Sequence, residues 1–575
     1  VDSGQGGGEA APRRLAAPAW LSGYRRPWLS RDTIAGLTLW ALVVPEAMAY
    51  ASIAGVPPQF GLYAVPLAVL AYAWLGTSSR LFVGPSSTIC VLTAISVAPL
   101  AAAGGDDYIL LTAVLSLIVG VLFIALGLLR MGFLSRLFAE PVLDGFIVGL
   151  GLYIAVGQLP KLVGLEKPEG NTVQQVAGLL QEVLSWGPAS AILGVGALAA
   201  LTLLHRMAPK IPAALVVVVV SIVLVPALSL EDRGVAVVGE IPAGYAFVSW
   251  SGLTLDTVLA LLPGALTIVI VGFAESLAVV KAYAAKDGTT VDANRELVAY
   301  GAASLGSGAL QGFPPSGSLS KSAAAESSGS KSPLTFVITA ALVVLTTLFL
   351  TGVFATLPEP VLGAIVIHAV AGMITPRSIW RLRQIRVPDF WLALSAFLGV
   401  VLIDVTAGIV IGIVLSLVLL LQRLAKPHLA FLGKHPDRGF VDLAASPDAA
   451  RVPGTLIVRV DGPLVFANVD PVTEELRGGV RDSRPRPALV ILDFQSVYEI
   501  DVTAAGDLAR LLDDLRGDGV EVRFASVHAA VREYAGRLSL SQLDGLINPY
   551  DSVDDALAAD LTRTPPQMER NGDEA

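Results

Sequence analysis

Between residues 32 and 421 the chain is a succession of apolar blocks separated by short polar breaks. A helix of about 20 apolar residues crosses a bilayer. On that pattern the blocks at 32–55, 59–76, 108–129, 189–204, 212–228, 255–280, 297–310, 334–356, 361–374, 390–403 and 405–421 read as spans. Two shorter blocks begin at Pro85, running to about residue 100, and at Pro314 or Pro315. The block 141–163 is interrupted by Gly145, Gly149, Gly151 and Gly157 and reads as one span and part of another. The count comes to about fourteen. After Lys426 the pattern changes to strand-like runs opening at Thr455, Ala488 and Gly519, with helical spacing of Leu508, Leu511 and Leu512 between the last two. Strands alternating with helices indicate a small α/β domain. The expected organisation is a tail at 1–30, a membrane domain at 31–426, an α/β domain at 427–562 and a disordered end at 563–575.

The apolar blocks repeat. Glu46 and Glu275 both sit inside apolar spans, 229 residues apart. The same offset carries Leu37, Thr38 and Ala49 onto Leu266, Thr267 and Ala278, and Pro85 and Ser87 onto Pro314 and Ser316. The matched residues include ones that a membrane resists. Seven spans per half is an odd number, so the halves take opposite orientations, the inverted-repeat plan of secondary transporters.

Charge orients this plan. Arg13, Arg14, Arg25, Arg26 and Arg31 precede the first span, Arg377, Arg381, Arg383 and Arg386 occupy a later loop, and Arg423 and Lys426 follow the last span. Positive charge collects on the cytosolic side, so the N-terminus is expected inside, and an even span count puts the C-terminal domain inside too. The first thirty residues lack the apolar core of a signal peptide and read as a cytosolic tail.

The composition agrees, with 54% hydrophobic and 15% charged residues, against roughly 25% charged in soluble domains. Residues 429–575 hold 25 acidic and 15 basic side chains, which leaves 23 and 24 for the rest. The net charge of −9 therefore belongs to the C-terminal part, an ordinary solvated surface that argues against nucleic-acid binding. Cys90 is the single cysteine, and the five histidines (His205, His368, His428, His435, His528) show no metal-ligand spacing. No catalytic set or phosphate loop stands out, so neither an enzyme nor a cofactor nor a metal is expected.

The short blocks carry the chemistry. One opens Gly84-Pro-Ser-Ser-Thr and the other Phe313-Pro-Pro-Ser-Gly-Ser-Leu-Ser-Lys-Ser. Proline suits a helix's first turn and serine its cap, so each block reads as a helix starting inside the membrane. Free N–H groups and a partial positive charge at such ends favour an anion, and two facing ends would bracket one near the midplane. Lys321 lies within two turns of the second opening. It needs a polar cavity or a carboxylate, with Glu275 the expected partner. A carboxylate inside an apolar span makes Glu275 a candidate proton carrier. Glu46 and Tyr50, four residues apart, share a helix face. Asp404, at a span end, reads as interfacial.

These motifs resemble those of the SulP sulfate permeases and the related solute-carrier anion exchangers. The signature pieces are Asp32-Thr-Ile-Ala-Gly-Leu-Thr, Val44-Pro-Glu-Ala-Met-Ala-Tyr-Ala-Ser-Ile-Ala-Gly-Val-Pro-Pro, Gly61-Leu-Tyr, Gly76-Thr-Ser-Ser-Arg, Val83-Gly-Pro-Ser-Ser and Glu275-Ser-Leu-Ala-Val. Asp292, Asn294 and Glu296 stand in a polar loop as in that family, and Phe313 through Ser322 completes the set. The tail resembles a STAS domain, with Asp493 through Thr503 as its strand-loop-helix junction. The resemblance implies a seven-plus-seven fold with core and gate domains, commonly dimeric, in the plasma membrane, carrying a small anion such as sulfate, bicarbonate or a dicarboxylate. It places the anion site at Glu46, Tyr50, Ser86, Ser87, the Ser316-Gly317-Ser318 stretch, Ser320 and Lys321, and proton coupling at Glu275. Glu46 and Lys321 stand where the family usually has Gln and Arg. Leu319 stands where sodium-coupled bicarbonate members have Thr, which favours protons over sodium.

Overall fold

The computed structural model describes residues 19–559 apart from 137–139, 167, 169, 209–211, 246, 252, 426 and 539–540. Arg13, Arg14, Lys426, most of the expected tail 1–30 and the segment 563–575 lie outside the described residues. Two compact units divide between Ser416 and Leu417.

The first unit is helical. A short α1 (Ala19–Ser22) precedes α2 (Leu29–Ala54), α3 (Pro58–Tyr63), α4 (Pro66–Leu75), strand β1 (Phe82–Gly84), α5 (Ser87–Val97), α6 (Asp106–Leu128) and α7 (Glu140–Val163). There follow α8 (Thr172–Gln181), α9 (Pro188–Met207), α10 (Ala213–Ala227), α11 (Leu255–Asp287), α12 (Ala293–Ala309), strand β2 (Ser316–Ser318), α13 (Leu319–Ser327) and α14 (Leu334–Leu345). The unit closes with α15 (Glu359–Val370), α16 (Pro376–Ile385), α17 (Val387–Leu402) and α18 (Val405–Leu424), the last of which runs past the division. Among the described residues, nine helical stretches are long and apolar enough to cross a membrane, and α5, α10 and α17 are shorter apolar helices. Exposed apolar side chains such as Ile192, Val195, Val219, Val223, Val414 and Leu417 suit contact with lipid.

Several elements differ from the sequence expectation. The block 141–163 is one continuous helix, α7, rather than one span and part of another. Its glycines are packing notches: a Cβ on Gly145 would collide with the Ala393 carbonyl of α17, and one on Gly149 would lie 3.0 Å from Val400. Small residues let membrane helices approach closely. The same device joins α6 to α12, where a Cβ on Gly120 would lie 2.9 Å from the Gly301 carbonyl oxygen. The second span is two helices, α3 and α4, because Pro66 has no N–H to donate to the carbonyl of Leu62. The expected basic loop is α16, which carries Arg377, Arg381 and Arg383. The expected polar loop at Asp292 is a helix start, with Asp292 accepting from Asn294 N at 2.9 Å and Arg295 N at 3.2 Å. Glu296 there is fully buried and accepts from the Tyr72 hydroxyl at 2.9 Å and Thr77 N at 2.7 Å. Gly55 closes α2 at φ +82°, and a Cβ there would meet the Tyr108 hydroxyl at 2.5 Å.

The second unit contains a five-stranded sheet in the order β4-β3-β5-β6-β7. Its elements are β3 (His428–His435), β4 (Gly439–Asp442), β5 (Thr455–Asp461), α19 (Val469–Asp482), β6 (Leu489–Asp493), α20 (Val502–Gly517), β7 (Glu521–Ala525), α21 (Ala529–Leu538), α22 (Asp544–Ile547) and α23 (Val553–Ala558). β5, β6 and β7 are parallel, and β3 runs antiparallel to β4 and β5. One face packs with Leu476, Leu508, Leu512 and Val531, the other with Val553 and Ala556, so β6 is buried along its length, as in covered parallel sheets. The sequence pattern located β5, β6, α20 and β7 but not β3 and β4.

Candidate functional site

β1 and β2 pair antiparallel, with Phe82 opposite Ser318, Val83 opposite Gly317 and Gly84 opposite Ser316. Each strand leads into a short helix, so antiparallel pairing sends α5 and α13 away in opposite directions from a shared start. The helices begin at Ser87 and Leu319, not at the prolines. Ser86 and Ser318 are the N-caps, 232 residues apart, so the repeat slips by three residues from the 229 read from the sequence. Ser318 rather than Ser316 is the structural counterpart at this point.

The two starts are finished differently. Ser318 Oγ accepts from Lys321 N at 3.4 Å, and its carbonyl accepts from the Ser322 hydroxyl at 2.6 Å. Ser322 Oγ in turn accepts from Phe82 N at 2.9 Å, tying α13 to β1. Ser86 does not cap α5 with its side chain. Its hydroxyl points to Glu275 Oε1 at 3.4 Å instead, leaving the first-turn N–H groups of α5 without a side-chain cap.

Lys321 is 2% exposed, and its ammonium lies 2.7 Å from Glu46 Oε2. It also donates to the Pro85 carbonyl at 3.3 Å and sits 4.9 Å from the Tyr50 ring centroid, within cation–π range. The partner of Lys321 is therefore Glu46, not the expected Glu275. A buried ammonium needs a carboxylate, and α2 brings Glu46 to it from the first half. Glu275 faces the first half-helix through Ser86, and its Oε2 is enclosed with no hydrogen-bond partner. The next residue, Ser276, serves the second half: its Oγ lies 3.0 Å from Ser316 Oγ and accepts from Gly317 N at 2.8 Å.

The structure thus draws Glu46, Tyr50, Ser86, Lys321 and Glu275 together around the two helix starts. Ser87 Oγ lies 3.8 Å from Met373 Sδ, and Ser318 Oγ lies 3.2 Å from Ser320 Oγ. The polar groups of Ser316 and Gly317 are engaged with Ser276. Asp404 stands apart and caps α18 through Ala407 N at 2.8 Å. Sequence reasoning missed Ser276, although it adjoins Glu275 in the quoted motif, and missed Met373, which carries no motif. His205 and His368, expected to be scattered, lie with ring centroids 5.5 Å apart. Among the described residues no group of three or more His, Cys, Asp or Glu could hold a metal ion.

A polytopic helical unit with two strand-paired half-helices meeting at a buried cation has the architecture of a membrane transporter. The chain belongs to the sulfate permease family, whose model matches residues 29–396, and the STAS domain model matches residues 446–556. It is therefore an anion transporter with a C-terminal STAS domain. It is 35% identical over 535 residues to a probable sulfate transporter of Mycobacterium tuberculosis, covering 92% of this chain and 95% of that protein. It is 29% identical over 565 residues to the chloroplastic sulfate transporter 4.1 of Arabidopsis thaliana, covering 93% and 81%. Its fold is similar to the murine Solute Carrier 26 family member A9 anion transporter, with TM-score 0.84 at 22% identity over 94% of this chain and 92% of that one. It is also similar to the transmembrane domain of a cyanobacterial bicarbonate transporter, BicA, with TM-score 0.59 at 21% identity over 68% and 98%.

Proposed function

We propose that the chain carries sulfate across the plasma membrane by proton symport, with the site at Glu46, Tyr50, Ser86, Ser87, Ser318, Ser320 and Lys321. The observation that carries this reading is the Lys321 ammonium between the two half-helix starts, neutralised by Glu46 at 2.7 Å. An arriving anion replaces the Glu46 carboxylate as partner of Lys321 and accepts from the uncapped N–H groups of α5. Ser316 and Gly317 hold β2 in place through Ser276. Sulfate is favoured by the names of the relatives, and bicarbonate by the BicA neighbour. A dicarboxylate or an uncoupled anion channel are the remaining alternatives.

Glu275 is the coupling residue. Its carboxylate points at the α5 start, where a negative charge repels the anion, and its Oε2 has a free position for a proton. Proton and anion then bind with mutual support, as linkage demands. The fourteen spans, the domain limits at 31–426 and 427–562, the cytosolic N-terminus and STAS domain, and a homodimer complete the proposal.

Labelled sulfate uptake into proteoliposomes, with competing bicarbonate and succinate and an imposed pH gradient, is the test. Glu275→Gln should still exchange anions yet lose pH-driven accumulation. If it retained full accumulation while Glu46→Gln lost it, coupling would pass to Glu46.

A further inference from the structure

Helix α16 is unlike the apolar helices on either side of it. α15 before it and α17 after it both pack along the span α7, so α16, which joins them, lies at one face of the membrane unit. Its sequence, Pro-Arg-Ser-Ile-Trp-Arg-Leu-Arg-Gln-Ile, has two sides. Ile379 and Leu382 turn inward and pack with Val148 of α7 and Phe390 of α17. The outward arc carries Arg377, Trp380, Arg381, Arg383 and Gln384, all exposed. Arg386 follows at the junction with α17 and is exposed too.

Two observations say what this arc faces. The first is charge that the protein leaves unanswered. Arg80, at the break before β1, is paired with both Asp287 and Glu326. Among the described residues no ion pair engages Arg377, Arg381, Arg383 or Arg386. The carboxylates on the helices packed against α16 are Glu140 and Asp144 of α7 and Asp389 of α17, and Arg381 is the arginine that acts on Asp144. The second observation is continuity with apolar surface. Ile385 and Val387 are exposed, and Trp391, Leu398 and Leu402 continue the strip down one face of α17. Arginine and tryptophan at the end of an exposed apolar strip is the arrangement found at the headgroup level of a bilayer. Arg383 lies 5.6 Å from the Trp380 ring centroid, and that ring packs at 5.6 Å on Phe390, so the aromatic is held beside the charge.

We propose that the outward arc of α16 docks the headgroups of anionic phospholipids, with Arg377 and Arg383 flanking Trp380 as the contacts. A guanidinium matches a phosphate with paired N–H donors. A choline lipid presents the same phosphate, but its own ammonium offsets the charge, so an anionic headgroup is preferred. The acyl chains below the headgroup then lie along Trp391, Leu398 and Leu402. The orientation proposed above puts this face on the cytosolic side, whose leaflet carries the anionic lipids. The inference needs only the membrane class of the chain and does not depend on which anion is carried.

Tryptophan quenching in vesicles of phosphatidylcholine and phosphatidylglycerol tests it on the full chain. Bromine is placed on the acyl chains of one lipid or the other, at equal bromine content. The emission of Trp380 is the difference between the chain and its Trp380→Phe variant, taken in each background. Both lipids occupy both leaflets, so the outcome is independent of the orientation of the chain. Brominated phosphatidylglycerol should quench Trp380 several-fold more than brominated phosphatidylcholine. Arg377→Gln and Arg383→Gln should each weaken that preference roughly five-fold, and together they should remove it. Arg377→Lys with Arg383→Lys should keep most of it, because the charge remains. High salt should shrink it. Equal quenching by the two lipids would overturn the proposal, as would a preference that survives both Gln substitutions. A preference lost as fully in the Lys pair would trace to altered helix packing and would overturn it too. Quenching by neither lipid would put α16 against water or an acidic protein surface instead of headgroups.

Discussion

Half-helix α5 starts at Ser87 behind Ser86, and α13 starts at Leu319 behind Ser318. Both caps are serines in extended geometry, yet Ser318 caps its helix while Ser86 turns its hydroxyl to Glu275. α13 carries Lys321 at its third position, whereas α5 carries Ile89 there. The repeat has therefore divided its labour: one start offers unengaged N–H groups, the other a positive charge. A symmetric pair of helix dipoles would attract an anion from both sides, but only the lysine gives a full charge, and only a facing carboxylate makes that charge tolerable without an anion.

Removing the charge should break the asymmetry most. Lys321→Gln leaves Glu46 buried without its partner, which should cost about 3–5 kcal/mol and abolish sulfate binding. Lys321→Arg, which keeps the positive charge, should keep binding. Thermal unfolding alongside labelled sulfate binding checks both, and a Lys321→Gln protein that binds normally would remove the charge from the site.

Steric blocking comes next. Trp at Ser87 or Ser318 should abolish binding with folding intact, and normal affinity in both variants would free the half-helices of any role. The smaller change to Ala discriminates between the two starts. Ser318→Ala should cost about 1 kcal/mol in lost capping and speed hydrogen exchange in the first turn of α13. Ser86→Ala removes no cap and should leave exchange at the first turn of α5 nearly unchanged.

Ser276 holds β2 but not β1. Ser276→Ala should loosen Gly317 by about 1 kcal/mol, visible as faster amide exchange there than at Val83. Equal loosening of both strands would mean that the pair is held as a single unit.

The smallest effects belong to the second unit, where two carboxylates shift in opposite directions. Burial pushes Asp493 above the usual carboxylate range, despite the hydrogen bond from Gln495 N. Burial also acts on Asp461, but hydrogen bonds from Arg459 and His428 outweigh it and hold the group low. The stability from Asp493 is present below the ordinary carboxylate value and declines as pH rises through it to the raised folded value. That from Asp461 is present above the ordinary value and is lost as pH falls through the lowered one. Asp493→Asn should abolish only the first trend, measured by exchange protection of β6 from pH 3 to 7. Sulfate binding should not follow either trend.

The sequence by itself determined the membrane class, the helical blocks, the two interrupted starts and the α/β tail. Long apolar runs have few other homes, and a lysine or glutamate inside one is conspicuous because burial there is costly. Lys321, Glu275 and Glu46 were legible for that reason. Tertiary structure alone decided which carboxylate meets Lys321, because Glu46 and Glu275 are equally buried-looking in sequence and only the packing of α2 against α13 separates them. It also decided that the glycines of α7 are notches rather than breaks, since a glycine's role depends on whether another backbone approaches it. The slip from 229 to 232 was hidden because three extra residues in a Pro-Ser loop leave the apolar pattern intact. Only the pairing of β1 with β2 sets Ser318 opposite Phe82 and Ser316 opposite Gly84.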